Sequence, residues 1–344
     1  ADGSGGGRER LPEALSREGA TLRGQREHVI IMSEGEKKLA EAKKWMTTTV
    51  FRWSPDVHKA MQAYEDAAKA FRREGKLNKF AEAKTELSKL LYGQGRLLKA
   101  GADLEAAAVE VTDAKVAAKM YEMAAGWYLE KGSVDRCART LVKAGRKFED
   151  SDAKTASSLM LKAMKTYPVV EGRRVINMDT YNAALGSIMR LKRYGDADEC
   201  IKIQLQHWAT KPSDYARYIM KAWLSRMVIK FAENDSKAAI AVLNEAITKV
   251  PGFAESAFGK LAIKAVEAVA RGQGERFNTV LRGSEFKVLD NEVARLARKV
   301  EYSEAWDKES AKALAAKYAE IEENAEMVAE EAAAPVTTDE LDIS

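Results

Sequence analysis

The 344-residue sequence predicts an all-α chain, an α-solenoid of stacked helix pairs, and three observations predict it. The first is a small-residue-plus-aromatic signature. Ala67/Phe71, Ala124/Tyr128, Ala144/Phe148 and Ala163/Tyr167 are each an alanine followed four residues later by an aromatic, with the alanines 57, 20 and 19 residues apart. Residues at i and i+4 share one face of a helix, so the alanine admits a neighbouring helix and the ring covers the seam. The second is spacing: a helix of about 14 residues plus a short turn fits each unit, and two units make a repeat of about 40. The third is the lack of any five-residue alternating run, which argues against strands. Such an array points to a binding scaffold rather than an enzyme.

Each element follows from its own signals. Residues 1–31 begin with Gly3, Gly5, Gly6 and Gly7 and show no sustained apolar period. They are expected to be a disordered or extraneous segment, with Met32 as the natural start. The first helix is expected at 34–48, followed by the loop Thr49-Val50-Phe51-Arg52-Trp53-Ser54. Pro55-Asp56 opens the next helix, where a missing N–H costs nothing. Helices then follow at about 56–74, 78–93, 96–111, 113–131, 133–149, 151–167, 174–192, 195–209, 213–233, 235–249, 253–271 and 273–282. Gly75, Gly93/Gly95, Gly132, Pro168, Gly172, Gly195, Pro212, Pro251-Gly252, Gly272/Gly274 and Gly283 supply the breaks. The two units between Phe71 and Ala114 lack the alanine/aromatic pair in register. After about Tyr302 an Ala/Glu/Lys-rich helix is expected at 310–331, then a linker at Pro335 and a short acidic end. The expected divisions are therefore 1–31, a helical-hairpin array at 32–250, a helical bundle at 251–302, and an acidic helix and tail at 303–344.

Bulk properties narrow the function classes. A hydrophobic content of 46% supports a large core, yet no window approaches the roughly 18 apolar residues of a membrane span. Val29–Met32 is too short for a signal-peptide core. Cys137 and Cys200 lie outside any CxxC and read as free buried thiols in a reducing, cytosolic compartment. The net charge of +4 is uneven: residues 301–344 hold 13 acidic residues against Lys308, Lys312 and Lys317, so residues 1–300 carry +14. A basic body suits acidic helical bundles or anionic lipid. Nucleic acid is disfavoured, because no RRM, KH or zinc-finger spacing accompanies the charge.

Signatures of chemistry are missing. Gly93-Gln94-Gly95 and Gly272-Gln273-Gly274 lack a third glycine and a preceding strand, so they read as helix breaks. There is no GxxxxGK[ST], and His28, His58 and His207 have no HExxH or CxxC company, which leaves no metal site or cofactor expected. Two features remain. Val50, Phe51 and Trp53 sit beside Arg52 and a helix carrying Lys37, Lys38, Lys43 and Lys44. Aromatics next to cations suit shallow insertion into a membrane interface, while the alternative is packing into the first helix pair. Arg136, Arg139, Lys143 and Arg146 fall at i, i+3, i+7 and i+10, one basic stripe opposite the apolar Cys137, Leu141, Ala144 and Phe148. That stripe suits an acidic rod-shaped partner; the alternative is a solvated face.

Taken in order, several pieces resemble the soluble NSF attachment protein (SNAP) family, most closely its gamma type. They are Glu34-Gly35 with Leu39 and Ala42, Phe51-x-Trp53-x-Pro55-Asp56, Tyr64 with Ala67-Ala68-x-Ala70-Phe71, and Tyr128-Leu129-Glu130-x-Gly132 followed by Ala144-Gly145. Pro251-Gly252-Phe253 and Phe286-Lys287-x-x-Asp290-Asn291 complete the set, across about 33–299. The resemblance implies a TPR-like α-solenoid, a twisted sheet of helix hairpins, with a C-terminal helical bundle. It implies a non-enzymatic adaptor that binds the SNARE four-helix bundle and recruits the hexameric ATPase NSF for disassembly in vesicle-mediated transport. Peripheral attachment to the cytosolic face of endomembranes would run through Val50, Phe51 and Trp53. The SNARE contact would fall on the Arg136–Arg146 stripe. The NSF contact would fall on Asp339, Glu340, Leu341, Asp342 and Ile343, although the family's alpha type has a penultimate leucine where this chain has Ile343. The competing reading is a different TPR-like scaffold, such as a peptide-binding co-chaperone, and behind it an enzyme with an unrecognised helical active site.

Overall fold

The structure, a computed structural model, describes residues 32–48, 53–168 and 176–316. The chain is all-α, with no strand among the described residues. It divides into two compact units, Ala1–Gly75 and Lys76–Ser344.

The first unit is a helix hairpin. Helix α1 (Glu34–Met46) opens on a capping box, in which the Ser33 side chain accepts from the Glu36 N–H and Glu36 reaches back to the Ser33 N–H. Helix α2 (Val57–Arg73) is capped by Asp56, whose carboxylate accepts from the Lys59 N–H. Bonds at both ends hold the helices antiparallel. At one end the Asp56 N–H donates to the Trp45 carbonyl at 3.0 Å. At the other the Gly35 N–H donates to Glu74 at 3.0 Å and Arg73 pairs with Glu34 at 3.3 Å. Between them the buried Phe71 ring covers Gly35 so closely that a Cβ there would run into it.

The second unit strings together α3 (Leu77–Gly93), α4 (Leu97–Glu110), α5 (Ala114–Glu130), α6 (Val134–Arg146), α7 (Ala153–Lys165), α8 (Met178–Arg190), α9 (Tyr194–Trp208), α10 (Pro212–Ala232), α11 (Ser236–Lys249), α12 (Ala257–Ala270) and α13 (Gly274–Arg282). A 3₁₀ turn (Ser284–Val288) and α14 (Asn291–Ala297) follow. Two kinds of junction alternate along much of this chain. Tight turns after α3, α5, α8, α10 and α12 each place one residue in the left-handed region: Gly95, Gly132, Lys192, Asn234 and Gly272. That residue's N–H bonds the carbonyl three back and the next N–H bonds the carbonyl five back, as in Gly95→Tyr92 at 2.8 Å and Arg96→Leu91 at 3.0 Å. The last helical carbonyls are thereby satisfied. Several other junctions start the next helix on a side-chain cap: Asp113 before α5, Asp152 before α7, Asn177 before α8 and Ser256 before α12.

Hydrogen bonds between side chains expose the repeat directly. Glu130 accepts from Tyr92 across 38 residues, Lys143 donates to Glu105 across 38, Ser157 to Asp196 across 39, Lys162 to Glu122 across 40, and Arg190 to Glu149 across 41. The expected period of about 40 is thus the spacing at which equivalent helices meet. All four alanine/aromatic pairs are buried, as expected of a packing seam. Helices α3 and α4 form without that pair, burying Phe80, Leu87, Leu91 and Leu104 instead.

The helices expected up to residue 282 are all present within a few residues. The expected start at 174 gives way to Met178, because Asn177 caps there. The 3₁₀ turn and α14 were not expected. The last expected helix is already helical at 308 and is described only to 316. It is anchored by Trp306, which is buried against Phe231 and Phe277 with ring centroids 5.0 and 4.9 Å away. The Trp306 indole N–H donates to Asn234 at 2.6 Å, and the Asp307 N–H donates to the Ser236 hydroxyl at 2.9 Å.

One ion cluster lies inside the fold. Asp198 of α9 and Arg226 of α10 are both buried and bond at 2.6 Å, with Lys202 at 2.9 Å and Lys230 at 3.6 Å from the same carboxylate. Burial pushes the Asp198 carboxyl up, but hydrogen bonds from Arg226 and Lys202 outweigh it and hold the group below the usual carboxylate range. Asp198→Asn leaves Arg226 under-compensated and is expected to cost about 3–5 kcal/mol in urea unfolding near neutral pH. The depressed carboxyl contributes its stability above the unfolded value of about 4 and loses it as pH falls through the lower folded value. The gap between wild type and variant should therefore narrow below about pH 4.

Candidate functional site

The sequence offers three surfaces. The first lies at the closed end of the α1–α2 hairpin. The Asp56–Trp45 backbone bond pins the base of the loop, and the Lys59 ammonium rests 4.5 Å from the Trp45 ring centroid. Trp53, inside that loop, is 92% exposed and does not pack into the hairpin. An apolar side chain of this size left in water forgoes roughly 1.5–3 kcal/mol of burial. Val50 and Phe51 lie outside the described residues. Lys37, Lys43 and Lys44 of α1 are exposed, and Lys38 pairs with Glu41 at 3.0 Å.

The second surface is the basic stripe on α6. Arg136, Arg139, Lys143 and Arg146 are all exposed on one side of the helix, while Cys137, Leu141 and Ala144 are buried on the other and Phe148 is buried just past its end. Part of the row is tied to the preceding helices. Lys143 pairs with Glu105 at 2.6 Å, and the other oxygen of that carboxylate accepts from the Tyr128 hydroxyl at 2.9 Å. Arg136 stands 5.8 Å from the Tyr128 ring centroid, and Arg139 donates to the Asp135 carbonyl at 3.3 Å. Arg146 has no partner among the described residues. Just beyond the helix, the Lys147 ammonium donates to the Val109 and Val111 carbonyls, both at 3.1 Å, closing the end of α4. The stripe is therefore a positioned row of charge rather than four independent side chains. Glu105 and Lys147 escaped the sequence reading, whose only signal for them was a separation near the repeat length from Lys143 and from Val109 and Val111; Tyr128 was read there as a seam aromatic and not as a partner of Glu105.

The third surface, Asp339, Glu340, Leu341, Asp342 and Ile343, lies outside the described residues. Cys137 and Cys200 are buried free thiols whose ionisation burial pushes up, which suits packing and not nucleophilic chemistry. His207 is buried edge-on against Tyr167, and burial pushes its imidazole toward the neutral form. Among the described residues no group of three or more His, Cys, Asp and Glu gathers as a metal site, and no helix is long and apolar enough to cross a membrane.

The family model described as soluble NSF attachment protein, SNAP, matches residues 27–290. The chain belongs to the soluble NSF attachment protein family. It is 28% identical over 274 residues to a gamma-soluble NSF attachment protein of Arabidopsis thaliana, an alignment covering 78% of this chain and 92% of that protein. It is 25% identical over 276 residues to a gamma-soluble NSF attachment protein of Dictyostelium discoideum, covering 78% of this chain and 83% of that one. The family match takes in the exposed Trp53 and the whole α6 stripe, and it ends at the residue that caps α14.

The Glu105 junction can be tested by stability. Glu105→Ala removes the acceptor of Tyr128 and the partner of Lys143 together, and should lower unfolding free energy by about 1–3 kcal/mol. Glu105→Gln keeps an acceptor for the hydroxyl and should lose less than half of that, both measured by urea denaturation.

Proposed function

We propose that this SNAP-family chain is a non-enzymatic adaptor that binds SNARE bundles at membranes and recruits an NSF-type hexameric ATPase to take them apart. The observation that carries the reading is the family match across the hairpin array, together with the gamma-type relatives named for NSF attachment. The exposed α6 row supports it: a four-helix SNARE bundle is an acidic rod, and a line of cations along a helix complements one. Arg136, Arg139, Lys143 and Arg146 are the residues assigned to that contact.

The loop at Trp53 supports membrane attachment. Its aromatic side chains would enter the interface, with Lys37, Lys43 and Lys44 nearby in the same unit to meet anionic headgroups. Holding the adaptor on the bilayer that carries its SNARE partner raises their effective concentration without adding a contact between them. The acidic peptide from Asp339 to Ile343 is assigned to the ATPase. The adaptor then works peripherally on the cytosolic face of endomembranes, and the chemistry belongs to its partner.

NSF-dependent SNARE disassembly tests the reading. The full chain should support it, and a version ending at Thr338 should bind the bundle yet fail to recruit the ATPase. A full chain that binds neither SNARE bundle nor ATPase would overturn it. Phe51→Ser with Trp53→Ser should cut disassembly about tenfold or more on anionic liposomes while leaving soluble bundles within about twofold. Equal loss in both settings would make the loop a structural element.

A further inference from the structure

A second basic surface lies away from the α6 stripe. An open groove of about 640 Å³ runs between the first half of α10, α12 and the 3₁₀ turn. Met220, Leu261 and Val288 give it an apolar lining, and Val288 is 44% exposed. Arg217, Lys260 and Lys264 line it as well, all three exposed. None of the three has an ion-pair or hydrogen-bond partner among the described residues, and Glu285 is the only acid in the lining. Lys260 and Lys264 stand at i and i+4 on one helix face, where like charges repel unless an anion sits against them. The groove therefore suits a short peptide with two or three carboxylates and one or two apolar side chains.

The chain carries such a peptide. Beyond residue 316 it holds nine acidic residues and the single cation Lys317, and its last residues are Asp339-Glu340-Leu341-Asp342-Ile343-Ser344. Three carboxylates there match three cations, and Leu341 and Ile343 match the apolar lining. The reach suffices. Lys308, at the start of the last described helix, lies beside Gly272 at the end of α12. Leu261 is about 17 Å back along α12, and residue 316 at most about 12 Å further on, at 1.5 Å per residue. The 25 residues from 316 to 341 can span up to about 80 Å, well beyond the sum.

We propose that the carboxy-terminal peptide Asp339–Ile343 docks in this groove of its own chain. The docked chain withholds that peptide from any other partner, so the groove acts as a resting place from which a partner must compete it. The inference goes beyond the adaptor reading and does not depend on it.

A fluorescein-labelled peptide of residues 335–344, titrated by anisotropy against the full-length chain, tests it. The tethered tail competes at an effective concentration near millimolar, so Leu341→Ser with Ile343→Ser should tighten binding of the added peptide at least about tenfold over wild type. Adding Lys260→Glu and Lys264→Glu to that variant should abolish binding while leaving the circular dichroism and thermal midpoint unchanged. Should the double reversal disturb folding, Lys264→Gln alone is expected to weaken binding severalfold. Equal binding to wild type and the tail variant would overturn the proposal, as would binding that survives charge reversal. No binding to either chain would overturn it too. If that result came with concentration-dependent dimers in sedimentation, it would assign the groove to a second copy. No arm uses a SNARE or an ATPase, so failure here leaves the adaptor reading standing.

Discussion

Close approach between helices, permitted by a missing or minimal side chain beneath a large ring, is the constraint on which both units depend. Phe71 lies over Gly35, Tyr128 over Gly101, and Gly145 faces the Ala156 carbonyl; a Cβ at any of the three would meet an atom at 2.9 Å or less. The alanines of the repeated pairs are fully buried as well. At contacts this close a Cβ in place of one of these glycines would be driven into a ring or a carbonyl. Register is thus fixed by sterics before any charge is placed. Tyr128 shows how one residue then links levels: its ring seals the seam, its hydroxyl holds Glu105, and Glu105 holds Lys143.

Because packing consumes only one face of helices such as α6, the opposite face is free to carry charge in rows. The pairs at separations of 38 to 41 residues are mostly exposed and each adds little, about 0–1 kcal/mol. Their value lies in orientation, since each holds a long side chain at a chosen place on the surface. The buried Asp198–Arg226 pair is of another kind. It sits where the period breaks, between α9 and the 21-residue α10, and couples two helices that no 40-residue contact joins.

The repeat was legible because alanine and aromatic residues at i and i+4 betray a seam wherever they recur. Most helix ends were legible too, through Gly75, Gly95, Gly132 and Pro212. The turns at Lys192 and Asn234 were placed by helix spacing rather than by the turning residue, because both residues take a left-handed conformation that glycine ordinarily advertises. Asn234 is held there partly by a bond to Trp306, 72 residues away, which no local pattern announces. The 3₁₀ turn and α14 are too short for a period to show. Of the candidate surfaces, the α6 stripe was legible from spacing alone, whereas its anchoring by Glu105 was not. Arg226 and Asp198 look like surface residues in sequence, since a charge buried by a distant partner carries no local mark.

The bond from the Asp56 N–H to the Trp45 carbonyl has a consequence for how such a protein diversifies. It closes the hairpin at the base of the loop, so the ends of the loop are fixed by α1 and α2. A substitution at the exposed Trp53 can then alter which surface the hairpin tip prefers while the helices below keep their seam.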